Sequence, residues 1–236
     1  MTFFSRFLQY DFPVSYHTFI SSARVSFVAR ANAGTKGVPR LERESQILQV
    51  ASEVFGTDGY AATSIQTVAE RAGISKPLVY NYFGSKEGLF LACLEHAGTI
   101  VADEIERIAR GDAIGVERGL RTLDGMFTIL ESQLYLWKLP YDPTAPATGA
   151  VADAVDHYTQ RIAKLADEGV SELMALAGNT DPADISAMTA VWLGIVNSLM
   201  NWWMEHPDES AAAMMQRCVR LLTALVGGPA AEEGDA

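Results

Sequence analysis

The sequence predicts an all-α protein in two parts, an N-terminal three-helix unit built around a helix-turn-helix and a larger C-terminal helical domain. Three features of the chain predict it. Apolar residues recur at three- and four-residue steps through the segments after residue 40, the period of a helix with one buried face. Two short helical patterns flank Gly73 with only a few residues between them, so the two helices must cross steeply. Charge divides where that pair ends: residues 1–90 carry nine Lys or Arg against seven Asp or Glu, and residues 91–236 carry nine against twenty-two, which together make the net charge of −11.

With 236 residues, 49% of them hydrophobic, the chain is long enough for a substantial core. The expected organisation is an extension over 1–38, a helix-turn-helix domain over 39–85, a second helical domain over 86–227 and an acidic tail over 228–236. The extension is aromatic-rich but broken by Arg6, Asp11, Pro13 and Arg24, and it lacks the pattern of a signal peptide. It is expected to be flexible, or wrongly included because translation begins later; an intact mass that includes residue 1 would reject the second reading.

The first helix is expected from Leu41 to about Thr57, with Ile47, Leu48, Ala51, Val54 and Phe55 on its inner side and Gly56 and Gly59 at its end. Thr63 and Gln66 form a candidate capping box for the next helix, whose buried stripe is Ile65, Val68 and Ala69. Gly73 supplies the positive φ of a sharp stop. Ser75 is the natural N-cap of the second helix of the pair, with Pro77 in its first turn where no hydrogen bond is lost. Val79 and Phe83 face inward, which leaves Ser75, Leu78, Asn81 and Tyr82 outside, with Lys76 and Tyr80 at the edges. Such a mixed rim can read base edges and grip phosphates. Ser85 caps a third helix whose free amides, with Lys86, offer an anion site. The plainer reading is an ordinary helical hairpin, since this spacing alone occurs in many proteins that never touch DNA.

The order of residues goes further. Ala51-Ser-Glu-Val-Phe55, Gly59-Tyr60, Thr63, Gly73-Ile74-Ser75, Tyr80, Tyr82-Phe83 and Lys86 closely resemble the N-terminal domain of the TetR family of transcriptional regulators, over about residues 40–100. The resemblance implies a homodimeric regulator, a repressor by preference, that binds a near-palindromic double-stranded DNA operator and is released by a small-molecule effector; it implies a cytoplasmic protein. The DNA-binding residues it points to are Thr63, Ser64, Ser75, Lys76, Pro77, Leu78, Tyr80, Asn81, Tyr82 and Lys86. Ser75, Lys76, Leu78 and Asn81 would choose bases, and Thr63, Tyr80, Tyr82 and Lys86 would hold the backbone. Residues 39–90 hold five basic and six acidic groups, so the surface must rely on placed donors and dimeric avidity, and nonspecific binding at physiological salt is expected to be weak.

In the second part, the helix from Ser85 is expected to run to about Arg110 with Gly98 as a kink, and in the family it joins the two domains. Helices over 116–132 and 133–139 precede a loop with Pro140, Pro143 and Pro146, where prolines forbid regular structure. A long helix follows from about Ala147 to Ala177. Ile185 to Met204 then holds twenty residues without a charge, enough by length to cross a bilayer. Ser186, Thr189, Asn197, Ser198 and Asn201 are spread through it and no Lys or Arg anchors its ends, so no membrane is expected. A helix apolar on nearly all sides must be covered twice, by its own core and by a second subunit. With the last helix, about 208–226, it resembles the family's four-helix interface, for which the candidates are Trp192, Val196, Met200, Trp203, Met215, Val219 and Leu222.

An effector pocket is expected inside this bundle, with Phe127, Tyr135, Trp137, His157, Tyr158 and Met188 as lining candidates; for each one alone, plain packing is the competing role. The effector stays unidentified. Cys93 and Cys218 read as buried thiols, and His17, His96, His157 and His206 are scattered singles without metal-ligand spacing. No catalytic motif is present, so no enzyme, metal or cofactor is expected. The rival class is a helical small-molecule-binding or protein-interaction module without DNA binding.

Overall fold

The computed structural model describes residues 39–226, and the expectations placed on 1–38 and 228–236 lie outside them. Among the described residues the structure is helical throughout: α1 (Arg40–Asp58), α2 (Ile65–Arg71), α3 (Lys76–Phe83), α4 (Lys86–Ala109), α5 (Gly115–Leu130), α6 (Tyr135–Lys138) with a following 3-10 turn (Leu139–Tyr141), α7 (Ala150–Leu176), α8 (Pro182–Glu205) and α9 (Ala211–Val226). Of the described residues, 39–218 fall in one compact unit, and α9 from Val219 onward does not. The fold class is the one the sequence predicts.

The N-terminal core is built from the residues the periodicity selects. Ile47, Ala51, Val54 and Phe55 of α1, Ile65, Val68 and Ala69 of α2, and Val79 of α3 are all buried, and Leu89, Phe90 and Cys93 of α4 close the cluster from below. Leu48, expected inside, is only half-buried. Burial pushes the Cys93 thiol up to about 12, so it stays protonated and unreactive.

The cap of α2 differs from the expectation by one residue. Ser64 is the N-cap, accepting from the Thr67 amide at 3.0 Å, and Gln66 reaches forward to Glu70 at 2.6 Å. Thr63 is instead buried at 3% exposure, and its hydroxyl donates to the Gly59 carbonyl at 2.8 Å. Thr and Ser are both competent caps, with Ser the better of the two, and the burial of the Thr63 hydroxyl against Gly59 leaves the cap to Ser64.

α4 continues as one helix through Gly98. The glycine serves packing rather than bending: a Cβ there would overlap the Tyr158 ring of α7. Pro140 sits inside the 3-10 turn, where a proline near the start gives up no hydrogen bond, so regular structure reaches further into the proline segment than expected. Ion pairs tie the bundle, with Arg161 of α7 bonding Asp103 and Glu106 of α4, and Arg118 of α5 bonding Glu172 of α7.

α8 is long and apolar enough to cross a membrane by length and composition, yet only 11% of its most apolar window is buried in the chain. Its covered face is Thr189, Val196, Met200 and Trp203. Trp203 packs edge-on to Phe127 with ring centroids 5.3 Å apart and donates its indole N–H to the Glu209 carbonyl at 2.7 Å. The opposite face carries Ala187, Met188, Ala190, Val191, Gly194, Ser198 and Asn201, all exposed.

Gly98→Ala is expected to destabilise the fold by about 1–3 kcal/mol despite alanine's better helix propensity, because the added methyl must displace an aromatic ring. Combining it with Tyr158→Ala should recover part of that loss, giving a non-additive double-mutant cycle in urea unfolding.

Candidate nucleic-acid interface

α2 and α3 are held at a fixed crossing by short backbone bonds. Ile74 donates to the Ala69 carbonyl at 3.0 Å and Gly73 to Glu70 at 3.1 Å, with Gly73 at φ 66°, a conformation that a Cβ disfavours. α3 starts at Ser75, whose side chain makes no cap bond, and ends at Gly84, whose amide returns to the Tyr80 carbonyl at 2.8 Å. Only Val79 of α3 is fully buried.

The rest of α3 forms a rim. Ser75, Lys76, Pro77 and Asn81 are exposed and Tyr80 is 42% exposed, while Leu78 and Tyr82 are half-buried at its edges. Ser64 is exposed one turn away on α2. The structure therefore brings Ser64, Ser75, Lys76, Pro77, Leu78, Tyr80, Asn81 and Tyr82 to the outside of one helix pair. Thr63 does not join them: its buried hydroxyl is occupied within the chain, and its expected role as a backbone contact is withdrawn.

Lys86 follows Ser85, which caps α4 by accepting from the Gly88 amide at 2.9 Å. The Lys86 ammonium donates to the Ala61 carbonyl at 3.3 Å and lies 4.3 Å from the centre of the Tyr60 ring. Arg40, which the sequence reading passed over, holds its guanidinium 5.6 Å from the Tyr82 ring centre. A basic residue at the start of the supporting helix was the available signal, but its aromatic partner lies more than forty positions away.

The expected pocket residues are only partly gathered. A cavity of about 40 Å³ lies between α4, the α6 segment and α7, lined by Leu94, Ala97, Val101, Trp137, Tyr141 and Tyr158 among others. Trp137 and Tyr158 are thus placed as expected. Phe127 is instead sealed against Trp203, Tyr135 faces Gly56, and His157 and Met188 are exposed. Helical period alone put these four on converging faces; the rotation of each helix, set by its neighbours, put them elsewhere. Tyr158 is fixed by a 3.0 Å bond between its hydroxyl and that of Thr99.

The interface candidates need a similar correction. Val196, Met200, Trp203 and Met215 are buried within the single chain and unavailable to a partner. Trp192 is half-buried, its ring beside Gly119; Val219 and Leu222 are half-buried in the part of α9 outside the compact unit. Val196, Met200 and Trp203 of α8 serve its own core, while Met188, Val191 and several small residues face out.

The family described as "Bacterial regulatory proteins, tetR family" matches residues 47–93, the stretch that holds α2, α3 and the helices supporting them. Over that stretch, the helix-turn-helix part of the chain is similar to the TetR family. Among curated relatives, the transcriptional activator FasR of Mycolicibacterium smegmatis is 32% identical over 114 residues, covering 48% of this chain and 52% of its own. A transcriptional repressor of Mycobacterium tuberculosis is 40% identical over 81 residues, 34% of this chain and 42% of its own. The chain thus spans about half the length of the curated relatives it matches. Among solved structures, a TetR-like regulator from Rhodococcus sp. RHA1 superposes with a TM-score of 0.65 at 23% identity, over 81% of this chain and all of its own. AibR in complex with isovaleryl coenzyme A and operator DNA gives 0.64 at 20% identity, over 76% and 97% of the two chains. These similarities show the shared helical fold.

Ser64→Ala should cost about 1 kcal/mol of stability in denaturant unfolding, because it removes the cap of α2, whereas Ser75→Ala should leave stability within about 0.5 kcal/mol of the parent. An equal loss in both would mean that Ser75 is occupied in the fold and not free on the rim.

Proposed function

We propose that this protein is a ligand-responsive transcriptional regulator that binds a near-palindromic operator as a homodimer and acts in the cytoplasm. The observation that carries the reading is the α3 rim, where the side chains of Ser75, Lys76, Tyr80 and Asn81 are exposed while the same helix is anchored through Val79. A short helix anchored on one side, with hydroxyl, amide and ammonium groups on the other, is the geometry that enters a major groove. Lys76 and Asn81 supply donors to base edges, and Leu78 an apolar contact for a thymine methyl. Ser64, Tyr80, Tyr82 and Lys86 hold the phosphate backbone, with Arg40 added beside Tyr82. The sense of regulation is proposed as repression, although the curated relatives include both a repressor and an activator.

The second copy docks on the outer face of α8. Met188 and Val191 are exposed on it at 38% and 54%, beside the small side chains of Ala187, Ala190, Gly194 and Ser198, which let another helix approach closely. The polar residues along this face favour a protein partner over lipid. Two such protomers would set their α3 helices roughly 34 Å apart, one turn of the duplex.

The effector enters the cavity beside Trp137 and Tyr158. Two structural neighbours were solved with stearoyl-CoA and with isovaleryl coenzyme A, which supports an apolar acyl-type group as the chemistry to try first. A cavity of about 40 Å³ admits such a group only if the aromatic wall moves. By linkage, whatever binds there weakens DNA to the extent that DNA weakens it.

Selection of bound fragments from a random oligonucleotide pool should return an inverted repeat, and Asn81→Ala should cost about 1–3 kcal/mol on the selected site while leaving the fold intact. A pool without enrichment would reject the reading and favour a ligand-binding module without DNA. Val191→Glu should convert the dimer to monomer in sedimentation at micromolar concentration, since it buries an unpaired charge at the proposed contact; a dimer that persists places the interface elsewhere.

A further inference from the structure

The segment from Tyr135 to Thr144 touches two things at once. Leu136, Trp137, Pro140 and Tyr141 form one wall of the cavity. The residues at either end of that wall are fixed to the helix-turn-helix part. At one end, Gly56 of α1 lets the Tyr135 backbone come so near that a Cβ on residue 56 would lie 2.8 Å from Tyr135 Cβ. At the other end, the Asp142 carboxylate accepts from the Tyr60 amide, and its second oxygen accepts from the amide and hydroxyl of Thr144 at 2.8 and 2.7 Å. The Thr144 hydroxyl oxygen accepts in turn from the Ala61 amide at 3.0 Å. Lys86 closes the group from the opposite side, through the Ala61 carbonyl and the Tyr60 ring.

We infer that Asp142 and Thr144 are positioning residues for the DNA-binding surface, holding the turn before α2 and the Lys86 ammonium in one arrangement that filling the cavity releases. Geometry makes the device sensitive. Asp142 is the next residue after Tyr141, and consecutive Cα atoms are fixed about 3.8 Å apart, so the wall cannot move outward and leave the carboxylate behind. A displacement of roughly 1 Å takes bonds of this length beyond hydrogen-bonding reach. The turn they hold leads directly into Thr63 and the Ser64 cap, so its release loosens the entry to α2 and frees Lys86 from its fixed direction. The carboxylate also favours its charged form here. Burial would raise its pKa, but the bonds from Thr144 and the Tyr60 amide, with Lys86 nearby, outweigh burial and hold it below the usual carboxylate value. At neutral pH the latch is therefore a charge-assisted one.

The inference rests on the proposed reading for what the latch regulates, but the latch itself has a readout that needs no DNA. The test compares four full-length proteins: the parent, Ala154→Phe to fill the cavity from α7, the pair Asp142→Ala with Thr144→Ala, and all three changes together. Amide hydrogen exchange at Tyr60 and Ala61 is followed by NMR, and affinity is measured for the selected operator. Filling the cavity should speed exchange at those two amides by about tenfold while Val68 in α2 is unchanged, and should weaken DNA about tenfold. Removing the latch should do the same, and the combined protein should show no further change, since both act through one element. Exchange unaffected by the cavity filler, or effects that multiply in the combined protein, would overturn the inference. Ala154→Leu is the smaller filler should the phenylalanine fail to fold. If no operator is recovered, the function reading fails while the exchange arm still decides the latch.

Discussion

Three aromatic rings tie the turn that leads into α2 to the helices around it. Phe55 of α1, Tyr60 in the turn and Phe90 of α4 pack with centroids 4.9–6.0 Å apart, two of the three contacts edge-on. α2 and α3 are seven and eight residues long, too short to be stable alone, so their positions are inherited from what they lean on. The ring cluster supplies that support and also fixes Lys86, whose ammonium lies over Tyr60. The turn before α2 and the Lys86 ammonium are therefore placed by how α4 meets α1.

Two routes connect the C-terminal part to that cluster. The first is α4 itself, a 24-residue helix that carries Phe90 near one end and, further along, Leu94, Ala97 and Val101 of the cavity wall. The second is the α6 segment, pressed against Gly56 and bonded to the turn through Asp142 and Thr144. The two routes bracket the same small cavity. A helix moving as a rigid rod and a loop held by a few hydrogen bonds respond differently to the same push, since the bonds fail over about 1 Å whereas packed side chains resist.

How much of this was legible in the sequence depended on the range of the interaction. The buried stripe of α2, that of α1 apart from the half-buried Leu48, the stop at Gly73 and the exposure of Ser75, Lys76 and Asn81 follow from local period and backbone conformation. Thr63 and Ser64 were exchanged because both residues are competent caps and the choice is made by a turn tucked beneath them. On α8 the error was of another kind. Large apolar residues are expected at the partner, yet Val196, Met200 and Trp203 fill the protomer's own core, and the exposed face mixes Met188 and Val191 with small residues. Asp142-Pro-Thr144 carries the signature of an Asx turn, with the carboxylate accepting from the amide two residues on. That signal announces an ordered loop, but nothing local identifies Tyr60, 82 positions away, as its partner.

Charge makes the quaternary arrangement part of the recognition chemistry. Arg118, Arg161 and Arg110 are engaged with carboxylates of the same bundle, so the acidic domain offers no broad positive field to a phosphate backbone. Arg71 lies 3.6 Å from Asp58, and among the described residues the basic side chains of the helix-turn-helix part without a carboxylate partner are few, Arg40, Arg43, Lys76 and Lys86. So few cations release few counterions, and one reader helix on its own would hold duplex DNA weakly. Joining two copies through α8, as proposed, would make the second contact intramolecular and raise its effective concentration, a gain that needs no further charge. Under the proposed reading that gain requires both rims to match the groove spacing, so a shift of about 1 Å at each latch, repeated in two protomers, would forfeit it.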